Sequence, residues 1–294
     1  MTHHEFRPGD AAKSGRFQRS TDIGIGAVTS RFVRRRWLVQ TAFLAVWLLP
    51  LRLFNICGPV FHCYACPLAF LACPIGVTAN FSALHIFPFM AVGTLLIVGG
   101  MVGAFVCGWA CPFGFLQDLA GKARTCRWEL PAWTGHARYV VLAGLVLLVP
   151  FLMGDGNPLF ICRVCPAGAL EAAVPLKIRQ ALANEASNEI NGIKIAVTAF
   201  VVAGMFLKYR PWCTLLCPLG AIFGLFNRWS VMFLRFNPKR CTSCNLCHKQ
   251  CHVGLKPNQR ANDPRCIRCL ECTKCGALMV GSPLKEAKTD ETKQ

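Results

Sequence analysis

Four long apolar stretches dominate the pattern of hydrophobic and polar positions along this chain. Polar, cysteine-rich segments separate them, and Gly and Pro occur inside them. A helix needs about 20 mostly apolar residues to cross a bilayer, within a range of about 17 to 25, and Gly and Pro are commoner in membrane helices than in soluble ones. The pattern therefore predicts four transmembrane helices rather than the buried helices of a large soluble core, over residues 37–54, 84–106, 137–153 and 190–207.

The composition supports this prediction and narrows the class of protein. Of the 294 residues, 54% are hydrophobic and 16% are charged, and the mean hydropathy is +0.41. A soluble domain carries about 25% charged residues, so the composition excludes an ordinary water-soluble enzyme and a disordered chain. The chain also holds 19 cysteines, yet it is too long and too apolar for a small disulfide-stapled module. We therefore expect a membrane protein whose function depends on cysteine.

The positive charges predict the orientation in the membrane. Lys and Arg number 32 against 14 Asp and Glu, a net charge of +18, and 27 of the 32 lie in the first 36 residues, around the loop between the second and third stretches, or beyond residue 207. Lys and Arg concentrate on the cytoplasmic side, so we expect a multi-pass protein of the bacterial inner membrane with both termini in the cytoplasm and residues 57–83 and 154–189 in the periplasm. The basic excess then reflects topology and contact with membrane lipid rather than nucleic acid. Residues 1–30 are expected to form a disordered basic arm and residues 283–294 a disordered tail.

The last fifty residues carry the most specific cysteine motif. Two runs, C-x2-C-x2-C-x3-C and C-x2-C-x2-C-x2-C, follow each other, and the first is the spacing of bacterial ferredoxins, whose fourth cysteine binds the other cluster. This predicts a ferredoxin-type module over residues 236–282 with two [4Fe–4S] clusters, one on Cys241, Cys244, Cys247 and Cys275 and one on Cys266, Cys269, Cys272 and Cys251. The alternative is a pair of zinc sites. His252 stands where Pro usually follows, and the short last spacing makes Cys275 the least regular ligand.

A second group of cysteines follows the second and fourth apolar stretches. Cys107 and Cys111, and likewise Cys213 and Cys217, form C-x3-C-P-[FL]-G at the predicted cytoplasmic face. Residues four apart share one face of a helix, and the following Pro and Gly end or bend the turn. The two pairs are expected to supply four thiolates to one inner site that holds a cluster or another metal, with free, redox-active thiols as the alternative.

A third group lies on the predicted periplasmic side. It contains Cys57 and Cys73 besides the four candidate metal ligands of an outer site, which are Cys63, Cys66, Cys162 and Cys165. Disulfides are the alternative because the periplasm is oxidising. The outer and inner sites are expected near opposite faces of a hydrocarbon core about 30 Å thick.

The cysteine motifs reveal an internal repeat. Each half reads as a helix, a C-x2-C-P motif, a second helix and a C-x3-C-P-x-G motif. Two halves with the same orientation imply a pseudo-two-fold axis along the membrane normal. The fold class is therefore predicted as an α-helical membrane protein, with four transmembrane helices arranged as two parallel pseudo-repeats over residues 31–230, followed by the small C-terminal module.

With these motifs, the chain resembles the NapH/MauN family of membrane polyferredoxins over roughly residues 31–280. The resemblance rests on two C-x3-C-P motifs followed by a two-cluster ferredoxin module. It implies electron transfer in a periplasmic pathway, often with quinol as the donor, in nitrate reduction for one branch and methylamine utilisation for the other. The C-x2-C motifs on the predicted outer side are not part of the nitrate-reductase branch, so the pathway stays open.

We therefore expect an iron–sulfur electron carrier or a quinol dehydrogenase subunit. It would relay electrons between the quinone pool or a cytoplasmic donor and a periplasmic oxidoreductase, with redox proteins on either side as partners and quinone as a further candidate cofactor. The chain contains no nucleophile–base arrangement, so no catalytic residue is predicted. Two alternatives remain: an assembly factor that reduces copper or a cofactor for a periplasmic enzyme, and a structural anchor for such an enzyme.

Overall fold

The computed structural model describes residues 33–48, 53–63, 65–66, 69–122, 131–183 and 192–281. This part of the chain is mostly helical, with two small two-stranded sheets. The predicted basic arm and the predicted C-terminal tail lie outside the described residues.

The first half of the chain builds a short parallel sheet and six helices. Strand β1 (Leu53–Cys57) pairs in parallel with β2 (Leu71–Ala72). The helices are α1 (Arg36–Trp47), α2 (Pro74–Ala83), α3 (Phe89–Val102), α4 (Phe105–Trp109), α5 (Pro112–Lys122) and α6 (Trp133–Met153), the last with π-helical geometry over Val141–Leu148.

The second half consists of further helices, followed by the C-terminal module. Its helices are α7 (Ile161–Val164), α8 (Pro166–Gly168, Ala169–Ala173 and Val174–Leu182 in succession), α9 (Gly192–Leu207), α10 (Trp212–Leu216, a π turn), α11 (Pro218–Phe226) and α12 (Leu246–Lys249). Strand β3 (Phe233–Phe236) pairs antiparallel with β4 (Leu278–Gly281), and 3-10 turns cover Pro238–Arg240 and Glu271–Cys275. The β3–β4 pair brackets all eight cysteines of the module.

The four predicted membrane stretches each contain a helix, but the helices differ in length. Among the described residues, only α6, with 21 residues, is both long and apolar enough to cross a membrane. Helices α3 and α9 are apolar but have 14 and 16 residues. In the first stretch α1 ends at Trp47, and strand β1 begins at Leu53.

The three apolar helices turn large side chains outward. Ile97 of α3, Leu152 of α6 and Phe200 of α9 are each about two-thirds exposed. Monomeric soluble proteins rarely expose extensive apolar surface, whereas membrane and partner interfaces do. The outer surface of these helices therefore suits lipid or another protein, and the core lies on their inner side.

The core is built around aromatic side chains and the predicted inner cysteines. Phe61, Phe113 and Trp212 are buried together, with ring centroids 5.9 to 6.4 Å apart. Cys107, Cys111 and Cys217 belong to the same cluster of buried residues. The inner cysteines thus lie in the best-packed part of the molecule.

Candidate iron–sulfur centres

Four helices of the structure begin in the same way, with the sequence Cys-Pro-x-Gly. Cysteine lies immediately before the helix and proline takes the first helical position, where the missing N–H costs nothing. The sulfur of Cys111, Cys165 and Cys217 accepts a hydrogen bond from the N–H three residues later, at 3.3 to 3.5 Å. The positive end of a helix favours a thiolate there. The four cysteines of this kind are Cys73, Cys111, Cys165 and Cys217.

The structure brings the four predicted inner-site cysteines together. Cys107, Cys111, Cys213 and Cys217 are all buried and line one cavity with about 420 Å³ of empty space. Cys111 and Cys217 start α5 and α11. Cys107 lies on α4, and Cys213 lies on the π turn α10.

Two buried side chains that line this inner cavity each have a hydrogen-bond donor without a partner. Arg138 and Trp212 both line it, are 3% exposed, and have no hydrogen-bond partner for Arg138 Nε and Trp212 Nε1. A buried donor left unpaired costs about 1–3 kcal/mol. An anionic group among the four sulfurs, such as an iron–sulfur cluster, would accept from both, so the residues present fit such a group.

A buried ionic network holds the two halves of the inner site in place. The Asp118 carboxylate accepts from Arg36, Gln40, Tyr209 and Arg210. Burial opposes its ionisation, but the Arg210 guanidinium overcomes this effect and holds the pKa of Asp118 well below its usual range. Arg210 also donates to the Cys107 carbonyl at 2.6 Å. The network therefore ties α1 and the residues just before α10 to α5, which carries Asp118, and to α4, which carries Cys107.

The second predicted cysteine set of the module also converges. Cys251, Cys266, Cys269 and Cys272 line one cavity below β3, with about 400 Å³ of empty space. Cys269 and Cys272 are buried, and the other two are half-buried. The structure thus groups the four sulfurs as the ferredoxin spacing groups them.

The first predicted set of the module lies nearer the surface. Cys244 is exposed, Cys241 is half-buried, and Cys247 is buried against Trp109 and Leu270. A hydrogen bond from the Thr242 side chain lowers the pKa of the Cys244 thiol. The side chain of the fourth predicted ligand, Cys275, lies outside the described residues.

The module is docked directly on the inner site. Cys266 and Ile267 line both the inner cavity and the module cavity. Gly108, between two inner cysteines, approaches so closely that a Cβ would lie 2.5 Å from the Ile267 carbonyl oxygen. Trp109 Nε1 donates to the Arg268 carbonyl at 3.1 Å. One cysteine therefore separates the two candidate centres.

Arg268 fixes this docking from inside the interface. It is 1% exposed, and its guanidinium donates to the carbonyls of Val102, Asn227 and Met232 and to the Ser230 hydroxyl. The Asn227 side chain in turn donates to the Cys266 carbonyl at 2.8 Å. The loop between Cys266 and Cys269 is thus bound to the ends of α3 and α11.

At the predicted outer site, the structure selects a different fourth cysteine. Cys63, Cys162 and Cys165 line one cavity with Cys73, not with Cys66. Cys66 is buried and lines a separate apolar pocket. Cys57 packs against Ala72 and Ala91. None of the described cysteine sulfurs forms a disulfide, and no three His, Cys, Asp or Glu side chains in the described ranges are placed to share a single metal ion.

The outer and inner cavities are neighbours. Phe61 lines both, and its carbonyl oxygen lies 3.8 Å from the Cys111 sulfur, while Cys63 is only two residues further along the chain. The expectation that the two sites stand near opposite faces of the membrane is therefore wrong. The physical reason is that Phe61, two residues before Cys63, forms part of the wall of both cavities, while α2, which follows Cys73, packs along α6, where Ser82 donates to the Leu147 carbonyl.

Sequence reasoning missed Cys73 and the buried charges. The signal for Cys73 is present, because Cys73-Pro-Ile-Gly is the fourth copy of the Cys-Pro-x-Gly motif. The sequence prediction chose Cys66 instead, because Cys66 forms a C-x2-C pair with Cys63. Asp118, Arg138 and Arg268 carry no comparable local signal, since most of the groups that bind them lie between 36 and 166 residues away in the chain.

The comparison with known families agrees with these centres. The profile of a family described as a 4Fe-4S binding domain matches residues 84–131 and 192–237. Each matched segment holds one of the two inner cysteine pairs. The chain is therefore similar to ferredoxin-type, 4Fe-4S electron-transport proteins, and the predicted resemblance is confirmed.

Three individual relatives illustrate this similarity. An uncharacterised protein of Methanocaldococcus jannaschii is 25% identical over 211 residues, which cover 66% of this chain and 71% of that protein. YccM of Escherichia coli, named for electron transport, is 24% identical over 228 residues, 72% of this chain and 58% of YccM. The methylamine utilization ferredoxin-type protein MauN of Methylorubrum extorquens is 29% identical over 193 residues, 61% of this chain and 55% of MauN. No solved structure matches the chain significantly.

Proposed function

We propose that this protein is a membrane-bound iron–sulfur carrier that passes electrons between the membrane and its C-terminal clusters through the inner cysteine site. The observation that carries the proposal is the position of Cys266. It lines both the inner cavity and the cavity of the second module set. Because Cys266 lines both cavities, electrons would pass between the two centres over a short distance.

Three clusters serve this function. Two [4Fe–4S] clusters are held by the eight cysteines of the module, and a third by the four buried inner cysteines. When bound, each cluster supplies one-electron oxidation and reduction without a change in its protein ligands. The chain itself excludes water from the inner cluster through Phe61, Phe113 and Trp212 and offers it the N–H groups of Arg138 and Trp212.

The membrane arrangement is part of the proposal. Four helices, from the stretches that contain α1, α3, α6 and α9, would be arranged as two parallel pseudo-repeats in an inner membrane, with both termini in the cytoplasm. The outward apolar side chains of α3, α6 and α9 support it, as do the two segments matched by one family profile. The charge distribution supports the orientation.

A quinone is the electron donor or acceptor that the structure suits best on the membrane side. An apolar pocket with a volume of about 450 Å³ lies among α1, α5 and α8, lined by Leu44, Leu116 and Leu170. The same pocket is bordered by His62, which is 3% exposed and whose Nε2 has no partner, and by Glu171. Ligand sites are usually apolar with a few polar groups and about 300–1,000 Å³ in size. An apolar ring with a polar oxygen fits this description.

The other end of the chain of centres suits a protein partner. Cys244 is exposed, so a cluster on the first module set would lie at the surface, where a redox protein could approach it. The periplasmic enzyme that the relay would serve, of the nitrate-reductase or methylamine-utilisation kind, is proposed from the family resemblance alone.

The experiment compares wild type with the double variant Cys107→Ala, Cys213→Ala. Both proteins are purified anaerobically and mixed with a menaquinol analogue. The decrease of the cluster absorbance at about 400 nm is then followed. We expect the wild-type module clusters to be reduced and those of the variant to stay oxidised, although its module still holds about eight iron atoms. Equal reduction would remove the inner site from the route and favour the assembly-factor function.

The quinone part has a separate test. Leu116→Trp fills the apolar pocket, and Leu96→Trp, on the exposed face of α3, is the matched control. We expect the pocket variant to raise the quinol concentration needed for half-maximal reduction by roughly tenfold, the effect of losing about 1.4 kcal/mol of binding. Reduction of both variants by dithionite should be unchanged. An unchanged quinol dependence in Leu116→Trp would place the quinone elsewhere.

A further inference from the structure

We propose that Cys63, Cys73, Cys162 and Cys165 bind a further [4Fe–4S] cluster, next to the inner one. This goes beyond the proposed relay, which uses only the inner and module cysteines. The four sulfurs line one half-buried cavity with about 820 Å³ of empty space. They come from both halves of the repeat, two from the segment before α2 and two from α7 and the start of α8.

The cavity repeats the construction of the inner site. Cys73 and Cys165 both lie before a Cys-Pro-x-Gly helix, with backbone angles of φ −69°, ψ 122° and φ −68°, ψ 122°. Cys217 of the inner site has φ −68°, ψ 115°. The Cys165 sulfur accepts from the Gly168 N–H at 3.5 Å, and Gly76 occupies the equivalent position after Cys73. Each site thus has two sulfurs at helix N-termini, which favour negative charge.

The third sulfur, that of Cys63, is placed by contacts that need no cluster. Glu171 of α8 accepts from the Cys63 N–H at 3.0 Å and pairs with His62 at 2.9 Å. This joins the Cys63 segment to the helix that Cys165 begins. Gly168 borders the same space, because a Cβ built there would lie 3.4 Å from the Cys63 sulfur.

A positive charge faces this cavity. Lys194 lies on the apolar helix α9, lines the cavity, and brings its Nζ to 3.7 Å from the same Gly168 position. A charged side chain in an apolar helix is costly and usually faces an opposite charge. A cluster with four thiolate ligands carries net negative charge, so Lys194 would offset it.

The position of this cavity gives the cluster a role. Phe61 forms the wall between it and the inner cavity. In the transfer step the inner cluster loses one electron and the outer cluster gains one, or the reverse, and no bond or proton changes. The chain of centres then runs from the outer cluster past Phe61 to the inner cluster, and past Cys266 to the module.

Cys66 is the matched control for Cys73. Both precede a proline in the same segment, but Cys66 borders the apolar pocket with Leu44 and Leu48 instead of the cavity. Iron and acid-labile sulfide are measured on the full chain purified anaerobically in detergent. We expect about 16 iron atoms per wild-type chain and per Cys66→Ala chain, and about 12 in Cys73→Ala, since each cluster holds four.

Two further measurements test whether misfolding or disulfide formation explains this result instead. The EPR signals of the module clusters, which use separate cysteines, must persist in Cys73→Ala, and Cys162→Ala must lose the same four iron atoms. Loss of four iron atoms in Cys66→Ala but not in Cys73→Ala would overturn the ligand set. About 12 iron atoms in wild type, or a Cys63–Cys162 disulfide found by mass spectrometry, would overturn the cluster.

The outcome is separable from the proposed function. If the outer cluster is absent, wild type still reduces its module through the inner site. If the relay is absent, the four iron atoms that depend on Cys73 remain, although quinol reduction no longer depends on Cys107 and Cys213.

Discussion

The inner and outer cysteine cavities are built from the same motif but differ in how completely they are closed. All four inner cysteines are buried, whereas all four outer ones are half-buried. Arg138 and the docked module residues Arg265 and Ile267 line the inner cavity. Lys194 lines the outer cavity together with His62, which pairs with Glu171.

This difference in burial would distinguish a centre that only passes electrons to other centres from one that exchanges them with a partner. A cluster in the sealed inner cavity would have no surface at which a partner could reach it, so under the proposed function it would pass electrons between its neighbours. A half-buried centre, like the exposed end of the module, is accessible to a partner or a small molecule. The same Cys-Pro-x-Gly helix start is thus used for both purposes, and its surroundings decide which one applies.

Removing the charge of Asp118 should have the largest effect and should break the inner site alone. Asp118→Asn leaves Arg36 and Arg210 buried without their shared carboxylate, which costs about 3–5 kcal/mol. We expect a lower midpoint of thermal unfolding and the loss of about four iron atoms. Asp155→Asn, at an exposed carboxylate in the turn after α6, should change neither.

The pH dependence of this effect follows from the lowered pKa of Asp118. Burial works against the charged form, but the arginines dominate and depress the pKa. The stabilisation is therefore complete above the pKa of an unfolded aspartate, about 3.9, and is lost only as the pH falls below it. The difference between wild type and Asp118→Asn should be equal at about pH 6 and about pH 8. A difference that disappears at the lower of these two values would contradict the ionic network.

Arg268→Met should have the next largest effect, on the contact between the inner site and the module. The variant loses hydrogen bonds to four groups at the ends of α3 and α11, at a cost of about 3 kcal/mol. We expect all iron to be retained, while reduction of the module by quinol slows at least tenfold. The control is Arg228→Met, an exposed arginine near the same surface. If both variants are reduced at the wild-type rate, the docking described here is not the electron path.

Gly108→Ala tests the same contact with a single methyl group. The added Cβ would lie 2.5 Å from the Ile267 carbonyl oxygen, so the module must shift, at a cost of about 1–3 kcal/mol. In the control Gly100→Ala, the added Cβ has open space around it. Its midpoint of thermal unfolding should be unchanged or slightly higher. Equal melting of the two variants would argue against the close approach.

Trp212→Phe should have the smallest effect and should again distinguish the two cavities. Its Nε1 is a buried donor without a partner at the inner cavity. A hydrogen bond of about 1 kcal/mol to the reduced cluster corresponds to roughly 40 mV for one electron. We expect the inner potential to fall by about this amount, with the others unchanged. Trp229→Phe, at an exposed tryptophan, is the control, and equal potentials in both variants would contradict the donor role.

The sequence alone predicted the groups of cysteines well where spacing is local. The ferredoxin runs and the C-x3-C-P pairs need only a few residues of context, and the structure brings the inner pairs together from residues 107–111 and 213–217. The apolar stretches also contain helices where expected. Their lengths were less predictable, because apolar residues continue past the points where α1 and α3 end, at Trp47 and Val102.

Long-range packing is what the sequence could not supply. Whether Cys66 or Cys73 joins the outer cavity depends on long-range contacts of this segment, such as those of His62 and Cys63 with Glu171, more than a hundred residues away. The closeness of the two cavities depends on the same segment, since Phe61 lines both. Hydropathy and charge indicate which side of a membrane a loop starts from, but not how deeply it folds back.

The central claim is that the inner site and the module centres are neighbours joined at Cys266, and EPR spectroscopy of the fully reduced protein tests it most directly. Paramagnetic clusters that share a wall interact magnetically and broaden each other's signals. We predict a broadened, interacting spectrum for wild type that simplifies to that of the module clusters alone in Cys107→Ala, with the module iron retained. Sharp, independent module signals in wild type, unchanged in the variant, would contradict the claim.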